Sequence, residues 1–404
     1  MPKNYIGFAE AFDLTLENVA PLTPERRALA DCLNVFPAED ILARVDAPSA
    51  SSSLKDGYAV RSEDIAGASS QTPVKLALKG VAAAGALDVK QVLPNAAVRI
   101  LTGGRIPLHA DAVVAEEFAR KEDDGIVVDQ PIETCRNILR QGADVEMGEK
   151  IVAIGERLTP GCLGLLAAAG LSEALVYRRV RVAIIATGDE IRLPGTPLEA
   201  GQLYASNAVT LEAWCRRFDC GTTLTIVPDQ RETILRALRA AIETSDIILT
   251  SGGAWSGERD LVKLALEDLG WQMIFHRVRL GPGKATAMGL VNRCPVFMLP
   301  GGPPSNLAGF LKLALPAILK MAGNPVCGLP RQRARLQNEV QGPPDWTQVV
   351  FGGMQTDGDG RWWFQPDSQT SRLKAMGRAR ALLTIPEGVD RMAAGSPAEV
   401  EWLQ

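Results

Sequence analysis

Hydrophobic positions between residues 178 and 323 follow two alternating patterns. Short runs rich in valine and isoleucine are followed by stretches whose apolar residues recur at helical spacing. The first pattern predicts buried strands, and the second predicts helices that pack along one face. This alternation indicates βαβ units and a parallel, doubly wound sheet. The predicted strands are 180–186, 222–227, 246–250, 271–280 and 295–299, and the predicted helices are 208–218 (capped by Ser206 or Asn207), 231–244, 258–269 and 304–322.

The segments on either side carry a different pattern. Short apolar runs between Gly, Pro and Asp clusters predict β-strands within 48–131 and again after Pro330, whereas helices are expected over 8–13, 24–32 and 163–169. We therefore expect a multi-domain α/β protein. Its four expected parts are a helical or mixed frame domain (1–47 and 136–177), an inserted β-rich domain (48–135), an α/β domain with a doubly wound, mostly parallel sheet (178–326) and a C-terminal, barrel-like β-domain (327–404).

Composition narrows the classes of function. The 404 residues include 43 basic and 47 acidic side chains, and this net charge of -4 argues against bulk electrostatic binding of nucleic acid or of an anionic membrane. Two histidines are too few for a multi-histidine metal site, and seven cysteines without a Cys-x-x-Cys pair fit reduced thiols. No stretch resembles a signal peptide or a membrane span, so we expect a soluble, cytoplasmic protein.

Glycine-containing turns with polar residues follow the predicted strands. In an open α/β sheet, ligands bind beyond the carboxyl ends of the strands, where glycine lets backbone N–H groups approach an anion. Each turn alone is more often a plain connection, and Lys284 lacks the spacing of a Walker A motif. With Glu258 and Asp260, the set predicts a phosphate-bearing ligand and a divalent cation. The turns are 187–190, 228–229, 251–253, 281–284 and 299–305.

Two patches in the first half of the chain are further candidates. Asp56 precedes a predicted strand in Lys-Asp-Gly-Tyr-Ala-Val, although a turn without function explains it equally well. Thr102 precedes two glycines, and the following Ala-Asp-Ala-Val-Val at 110–114 fits a strand with its entry turn. Thr102 is therefore the stronger functional candidate of its segment.

The order of these motifs resembles that of the molybdopterin molybdenumtransferase family, the MoeA proteins and the gephyrin E-domain. The likeness covers nearly the whole chain, and such a set in this order is highly specific. Its motifs are Asp-Gly-Tyr-Ala-Val (56–60), Thr-Gly-Gly with Ala-Asp-Ala-Val-Val (102–114), Gly-Ala-Asp-Val with a later Gly (142–148), Ala-Thr-Gly-Asp-Glu-Ile (186–191), Ser-Gly-Gly with Gly-Glu-Arg-Asp-Leu-Val-Lys (251–263), Pro-Gly-Lys (282–284) and Leu-Pro-Gly-Gly-Pro with Ser (299–305).

The resemblance implies a reaction and an assembly. Molybdate would be inserted into the dithiolene of adenylylated molybdopterin with Mg²⁺, and AMP and molybdenum cofactor would be released. The protein would be an elongated homodimer whose site lies between the α/β domain of one subunit and the inserted domain of the other. A molybdopterin adenylyltransferase and client molybdoenzymes are the other implied partners, and neither nucleic acid nor a membrane is among them.

The resemblance also implies three sets of site residues. The catalytic set is Asp56, Thr102, Asp144, Glu190, Asp229 and Asp260. The substrate-binding set is Thr187, Gly188, Ser251, Gly252, Gly253, Arg277, Gly283, Lys284, Pro300, Gly301 and Ser305. Glu190 and Asp260 would hold the metal.

Several positions depart from the family pattern. Gly281 and Arg277 stand where the family often has lysine, and Gly302 replaces an asparagine; Ala143 and 254–256 also differ. Arg279 or Lys55 would compensate for the cation lost at position 281. The departures leave a second hypothesis open, a paralogue that binds or carries molybdenum cofactor or scaffolds a client enzyme. An unrelated nucleotide-binding α/β enzyme would leave the first-half motifs unexplained.

Overall fold

The computed structural model describes residues 5–85, 90–252, 260–367 and 373–403. Contacts along the backbone divide the chain into two compact units. The first unit comprises Met1–Glu25, Asn34–Ala38 and Val176–Gln404, and the second comprises Arg26–Leu33 and Glu39–Leu175. The division into four domains with the boundaries given above stays a prediction.

A six-stranded sheet lies in the first unit, and four of its neighbouring strands pair in parallel. The other two strands pair in antiparallel fashion at one side, so the sheet is mostly parallel, as predicted. One of these two, Ala287–Val291, was not predicted. In spatial order the strands are Gly221–Val227, Arg181–Thr187, Ile247–Ser251, Cys294–Leu299, Ala287–Val291 and Gln272–His276.

Helices cover both faces of this sheet. Alternate residues of Arg181–Thr187 contribute to two separate hydrophobic clusters, Ile184 to one and Ile185 to the other. The Ile184 cluster includes the helices Ser206–Arg217 and Pro303–Met321, and the Ile185 cluster includes Arg231–Thr244 and Leu261–Asp268. Such two-sided burial is the reason that central strands such as Ile247–Ser251 and Cys294–Leu299 are buried at every position. The doubly wound arrangement is therefore confirmed.

Two of these helices differ in detail from the prediction. The first begins at Ser206, and neither Ser206 nor Asn207 caps it; the N-cap position is Ala205, which makes no side-chain cap. The last is interrupted by a π-helical turn at Phe310–Ala314, ahead of Pro316. Proline lacks an N–H and crowds the carbonyl four residues earlier, which explains why the helix widens locally into a π-helical turn. Within the described residues, no helix is both long and apolar enough to cross a membrane.

A second six-stranded sheet of the first unit closes on itself, because Thr347–Thr356 pairs with both Trp362–Pro366 and Ala381–Ile385. Its order is Leu280–Gly281, Thr347–Thr356, Trp362–Pro366, Arg331–Leu336, Pro397–Trp402 and Ala381–Ile385. The C-terminal β-domain is thus confirmed as part of the fold. The first unit also contains the helices Phe8–Glu17 and Leu373–Arg378 and the short strands Ile191–Arg192, Leu203–Tyr204, Val340–Gln341 and Arg391–Met392.

The second unit is built on its own six-stranded sheet, as expected of a β-rich insertion. In order, the strands are Ala112–Ala115, Gly57–Val60, Ala96–Ile100, Val74–Ala82, Gly125–Val128 and Ala119–Glu122. Shorter elements are the helix Pro160–Ala168, the 3₁₀ helices Leu29–Asp31, Ser62–Ile65 and Glu116–Phe118, and the strand pairs Ser52–Ser53 with Ile138–Leu139 and Ile41–Leu42 with Lys150–Val152.

The helix expected over 24–32 is wrong. The structure has a strand at Pro24–Ala28, which ends in the 3₁₀ helix Leu29–Asp31. The Leu29 N–H donates to the Ser172 carbonyl oxygen (3.1 Å). Pairing with a distant segment thus overrides the local helical preference of these residues.

Candidate active site

Three carboxylates gather where two neighbouring strands of the α/β sheet end. Arg181–Thr187 leads into Asp189 and Glu190, and Gly221–Val227 leads into Asp229. The Asp229 N–H donates to Asp189 Oδ1 (3.1 Å). Burial raises the pKa of Asp229, and the negative charges of Asp189 and Glu190 raise it further. This cluster therefore carries negative charge that favours a cation.

Gly188 makes this turn possible. Its φ is +149°, and a Cβ there would lie 2.7 Å from Glu190 Oε2. Any larger residue would displace the Glu190 side chain. Asp189 lies inside the predicted turn but was not assigned a role; its position between Gly188 and Glu190 was the available signal.

Asp260 has both a structural contact and unusual electrostatics. It is the N-cap of the helix Leu261–Asp268, and its side chain accepts from the Lys263 N–H (3.1 Å). Burial raises the pKa of Asp260 to about 6, although the hydrogen bonds from the Lys263 and Val262 N–H groups oppose that shift. A carboxylate that is costly to ionise can gain energy from a nearby cation, and such groups are common at functional sites.

Two asparagines join the Ser251 turn to the Pro300 turn, and sequence reasoning missed both. The Asn306 side-chain amide donates to Ser251 Oγ (3.1 Å) and to the Pro300 carbonyl oxygen (2.9 Å). The Asn207 amide donates to the Gly301 carbonyl oxygen (2.7 Å) and to Ser251 Oγ (3.3 Å). Asn207 therefore bonds to these turns rather than capping its own helix. Asn306 is only 1% exposed, so its two bonds form in the protein interior.

Gly252 approaches the neighbouring strand closely. Its φ is +104°, and a Cβ would lie 2.8 Å from the Thr187 carbonyl oxygen. Thr187 and Ser251 are both buried at their strand ends. The predicted binding residues Thr187, Gly188, Ser251 and Gly252 are thus brought to one edge of the sheet. Gly253 and Glu258 lie outside the described residues.

The loop around Lys284 contains the remaining predicted binding residues. Lys284 is exposed, and Gly283 has φ +124°, with Leu280 in the space a Cβ would need. The Arg277 guanidinium lies 5.8 Å from the centre of the Tyr5 ring. Gly301 is exposed and Ser305 half-buried at the start of the helix Pro303–Met321.

Arg279 does not supply the compensating cation that the sequence suggested. Its guanidinium pairs with Glu387 (2.8 Å) and donates to the Tyr5 carbonyl oxygen (3.1 Å). The charge of Arg279 is neutralised within the fold. That expectation is therefore wrong for this residue.

In the second unit, Asp56 and Thr102 form one hydrogen-bonded pair. Asp56 Oδ1 accepts from the Thr102 backbone N–H (2.6 Å) and from its hydroxyl (2.7 Å). These bonds, chiefly the backbone one, lower the pKa of Asp56, and the charge of Arg99 adds to the effect. Asp56 is exposed and ionised, so it can act on a ligand as a fixed negative charge.

Asp144 lies on an exposed turn, where its N–H donates to the Ala47 carbonyl oxygen (2.9 Å). Among the residues that the structure describes, no hydrogen bond or ion pair joins its carboxylate to Asp56 or Thr102. The predicted catalytic residues thus divide between the units, with Glu190, Asp229 and Asp260 in the first and Asp56, Thr102 and Asp144 in the second.

The described ranges contain no group of three or more His, Cys, Asp or Glu side chains placed to hold a metal ion. Mg²⁺ is commonly held by one or two carboxylates together with water and substrate phosphates. Carboxylates such as Glu190 and Asp260 fit that kind of binding in their donor chemistry.

Comparison with known families agrees with this geometry. The model for the MoeA N-terminal region (domain I and II) matches residues 6–170, and the model named "Probable molybdopterin binding domain" matches residues 183–320. A molybdopterin molybdenumtransferase of Haemophilus influenzae is 35% identical over 75% of this chain and 74% of its own. This chain belongs to the molybdopterin molybdenumtransferase family.

Other members of the molybdopterin molybdenumtransferase family match over the full length. The protein of that name from Synechococcus elongatus is 33% identical over 98% of this chain and 100% of its own. Two crystal structures of a molybdopterin biosynthesis MoeA protein from Pyrococcus horikoshii superpose with TM-scores of 0.85 and 0.80. They are 28% and 26% identical and cover 99% of this chain and 100% of theirs. The family fold is therefore present throughout.

Proposed function

We propose that this chain is a molybdopterin molybdenumtransferase, which inserts molybdate into adenylylated molybdopterin and releases AMP in molybdenum cofactor biosynthesis. One observation carries the proposal. Asp189, Glu190 and Asp229 lie together at the carboxyl end of a doubly wound sheet, where the Asp229 N–H donates to Asp189 Oδ1 (3.1 Å). Burial raises the pKa of Asp229, and the charges of Asp189 and Glu190 raise it further. In the part of the chain that the structure describes, no basic side chain forms an ion pair with these three. This edge therefore suits a cation and a pyrophosphate.

The proposed roles follow from charge. Lys284 and backbone N–H groups of the glycine turns would neutralise phosphate oxygens, and the turn at Ser251 and Gly252 would orient the substrate. Glu190 and Asp260 would hold Mg²⁺, which when bound supplies positive charge to the pyrophosphate oxygens. Asp229 would add to the cluster's affinity for that cation. The remaining proposed binding residues are Thr187, Gly188, Gly253, Arg277, Gly283, Pro300, Gly301 and Ser305.

The chemistry needs no covalent intermediate on the protein. An oxygen of water or molybdate bonds to the adenylate phosphorus as the pyrophosphate P–O bond breaks, so AMP leaves with that oxygen. The two dithiolene sulfurs bond to molybdenum and displace oxygen, which leaves as water. The protein's part is to position both anions and to stabilise the charge that develops at phosphorus.

The wider setting belongs to the same proposal. A molybdopterin adenylyltransferase would supply the substrate, and client molybdoenzymes would receive the product, in the cytoplasm. We propose a homodimer in which Asp56, Thr102 and Asp144 of one subunit act with the α/β domain of its partner. Analytical ultracentrifugation of the purified chain tests the dimer: sedimentation as a monomer at assay concentration would contradict it.

Reconstitution tests the activity. The purified chain is mixed with adenylylated molybdopterin, molybdate and Mg²⁺, and AMP is measured by chromatography. We expect AMP release well above the protein-free rate. Tight binding of adenylylated molybdopterin without AMP release would instead favour a cofactor carrier or a scaffold for a client enzyme.

A further inference from the structure

A cleft in the second unit adjoins Asp56 and is not used by the roles assigned above. Its volume is about 610 Å³, within the range of about 300–1,000 Å³ that is typical of small-molecule sites. The 3₁₀ helix Glu116–Phe118 and the segment 130–137 provide most of its lining. Lys55 lines it too, and the Glu116 N–H donates to the Asp56 carbonyl oxygen (3.0 Å). The cleft therefore lies beside the Asp56–Thr102 pair.

The wall formed by 130–137 is held in place by the neighbouring strand. The Asn137 side-chain amide donates to the Val113 carbonyl oxygen (2.8 Å), and the Val113 N–H donates to the Arg136 carbonyl oxygen (3.1 Å). The Leu54 N–H donates to the Asn137 carbonyl oxygen (2.9 Å). With these bonds the cleft is formed before any ligand binds, which lowers the ordering cost of binding.

Charged side chains of both signs line the cleft without neutralising one another. Lys55, Glu117, Glu133 and Arg136 are all exposed. Within the described ranges none of the four takes part in an ion pair, whereas the neighbouring Glu116 pairs with Arg99 (3.1 Å). A ligand that carries an anionic group and hydrogen-bond donors would satisfy both signs at once.

An aromatic ring completes the lining. Phe118 is 57% exposed, and the apolar residues Val114 and Ile132 lie in the same cleft. An exposed phenyl ring beside an apolar wall offers a stacking surface for a planar ring. The cleft thus combines a surface for a flat ring, acceptors for ring amino groups and cations for a phosphate.

We propose that this cleft binds a purine mononucleotide. The ring stacks on Phe118, its amino group faces Glu117 and Glu133, and the phosphate lies at Lys55 and Arg136. The proposal rests on the proposed function in one respect, since adenylate forms part of the proposed substrate and AMP is its product. It goes beyond that function by assigning a nucleotide site to residues outside the catalytic, substrate-binding and metal sets proposed above.

Isothermal titration of the full chain with AMP tests the site. We expect Phe118→Leu, which keeps an apolar side chain, and Arg136→Ala each to weaken AMP binding by about tenfold or more. Arg120→Ala is the matched control, because Arg120 is an exposed arginine on Ala119–Glu122 that does not line the cleft. Circular dichroism checks that each variant is folded, and both substituted cleft residues are exposed, so folding is expected.

Two outcomes overturn the proposal. AMP affinity that is unchanged in both Phe118→Leu and Arg136→Ala would exclude the cleft as its site. Ribose 5-phosphate binding as tightly as AMP would exclude ring stacking. Failure of this proposal is distinguishable from failure of the proposed function. AMP release in reconstitution without AMP binding at the cleft would refute only the cleft proposal. AMP binding at the cleft without AMP release would refute only the proposed activity.

Discussion

Replacement of Asp260 by asparagine separates its structural contact from its charge. Asparagine is as good an N-cap as aspartate, so Asp260→Asn keeps an oxygen that accepts from the Lys263 N–H. It removes the carboxylate whose pKa burial raises to about 6. We expect this variant to fold normally and to lose most AMP release, because the proposed site loses a cation ligand.

The raised pKa of Asp260 sets the size and sign of its effect on the free energy of unfolding. A carboxyl group whose pKa is raised in the folded state favours the folded protein below its unfolded pKa of 3.8, and that advantage is lost as pH rises through about 6. A shift of this size corresponds to at most about 3 kcal/mol, and the partial exposure of the side chain reduces the expected effect to about 1–2 kcal/mol. Asp260→Asn escapes this loss.

Denaturant unfolding in the presence of a metal chelator, repeated from pH 4 to pH 7.5, measures the effect. Asp260→Asn and the wild type should be about equally stable at the acidic end, and the variant should be about 1–2 kcal/mol more stable at pH 7.5. Asp260→Ala should instead lose about 1 kcal/mol at the acidic end, because the cap is gone.

Glu267→Gln is the matched control on the same helix, since Glu267 is exposed, pairs only loosely with Lys263 (3.6 Å) and has the smallest of the influences on the Asp260 pKa. Its stability should change by at most about 0.5 kcal/mol and its AMP release should not change. If Asp260→Asn were less stable than the wild type at pH 7.5, burial would not penalise the Asp260 carboxylate and the reasoning would be refuted. Full AMP release by Asp260→Asn would refute its catalytic role.

Three further substitutions test other contacts. Asn306→Ala removes two interior hydrogen bonds and leaves the Pro300 carbonyl oxygen without that donor. It should therefore lower the free energy of unfolding by about 1–3 kcal/mol and also lower AMP release. If neither quantity changed, the positioning role of Asn306 would be contradicted. Thr102→Val removes the hydroxyl that donates a hydrogen bond to Asp56, so the Asp56 pKa should rise toward its ordinary value when it is followed by NMR. An unchanged pKa would show that the backbone hydrogen bond alone keeps the Asp56 pKa low. Lys312→Met removes the 2.8 Å partner of Glu401, a largely buried carboxylate whose side chain is 14% exposed, and should destabilise the fold by about 3 kcal/mol. The double variant with Glu401→Gln should recover part of that loss, and no recovery would argue against the pair.

Periodicity predicted the α/β sheet well because both of its faces are covered. Runs rich in β-branched residues, such as 180–186, and helical spacing over 231–244 are local signals, and the structure has Arg181–Thr187 and Arg231–Thr244 there. The strand Pro24–Ala28 was missed because a distant segment decides its conformation. Local patterns alone contain no information about such partners.

The same limit applies to the site. Asp56 and Thr102 were candidates from their turns, but the bond between them joins residues 46 positions apart. Asn306 reaches Ser251 across 55 positions, and Asn207 reaches Gly301 across 94. The local pattern at Asn207 predicts only a helix cap, and no local pattern marks Asn306 as anything but a polar residue of a helix. Their contribution depends on which strand ends become neighbours.

The stoichiometry of the reconstituted reaction tests the central claim most directly. AMP and molybdenum-loaded pterin are quantified from the same sample after one turnover of adenylylated molybdopterin with molybdate and Mg²⁺. The account predicts equal amounts of the two products with the wild-type chain and much less of both with Asp260→Asn. AMP without loaded pterin, or loaded pterin without AMP, would contradict it.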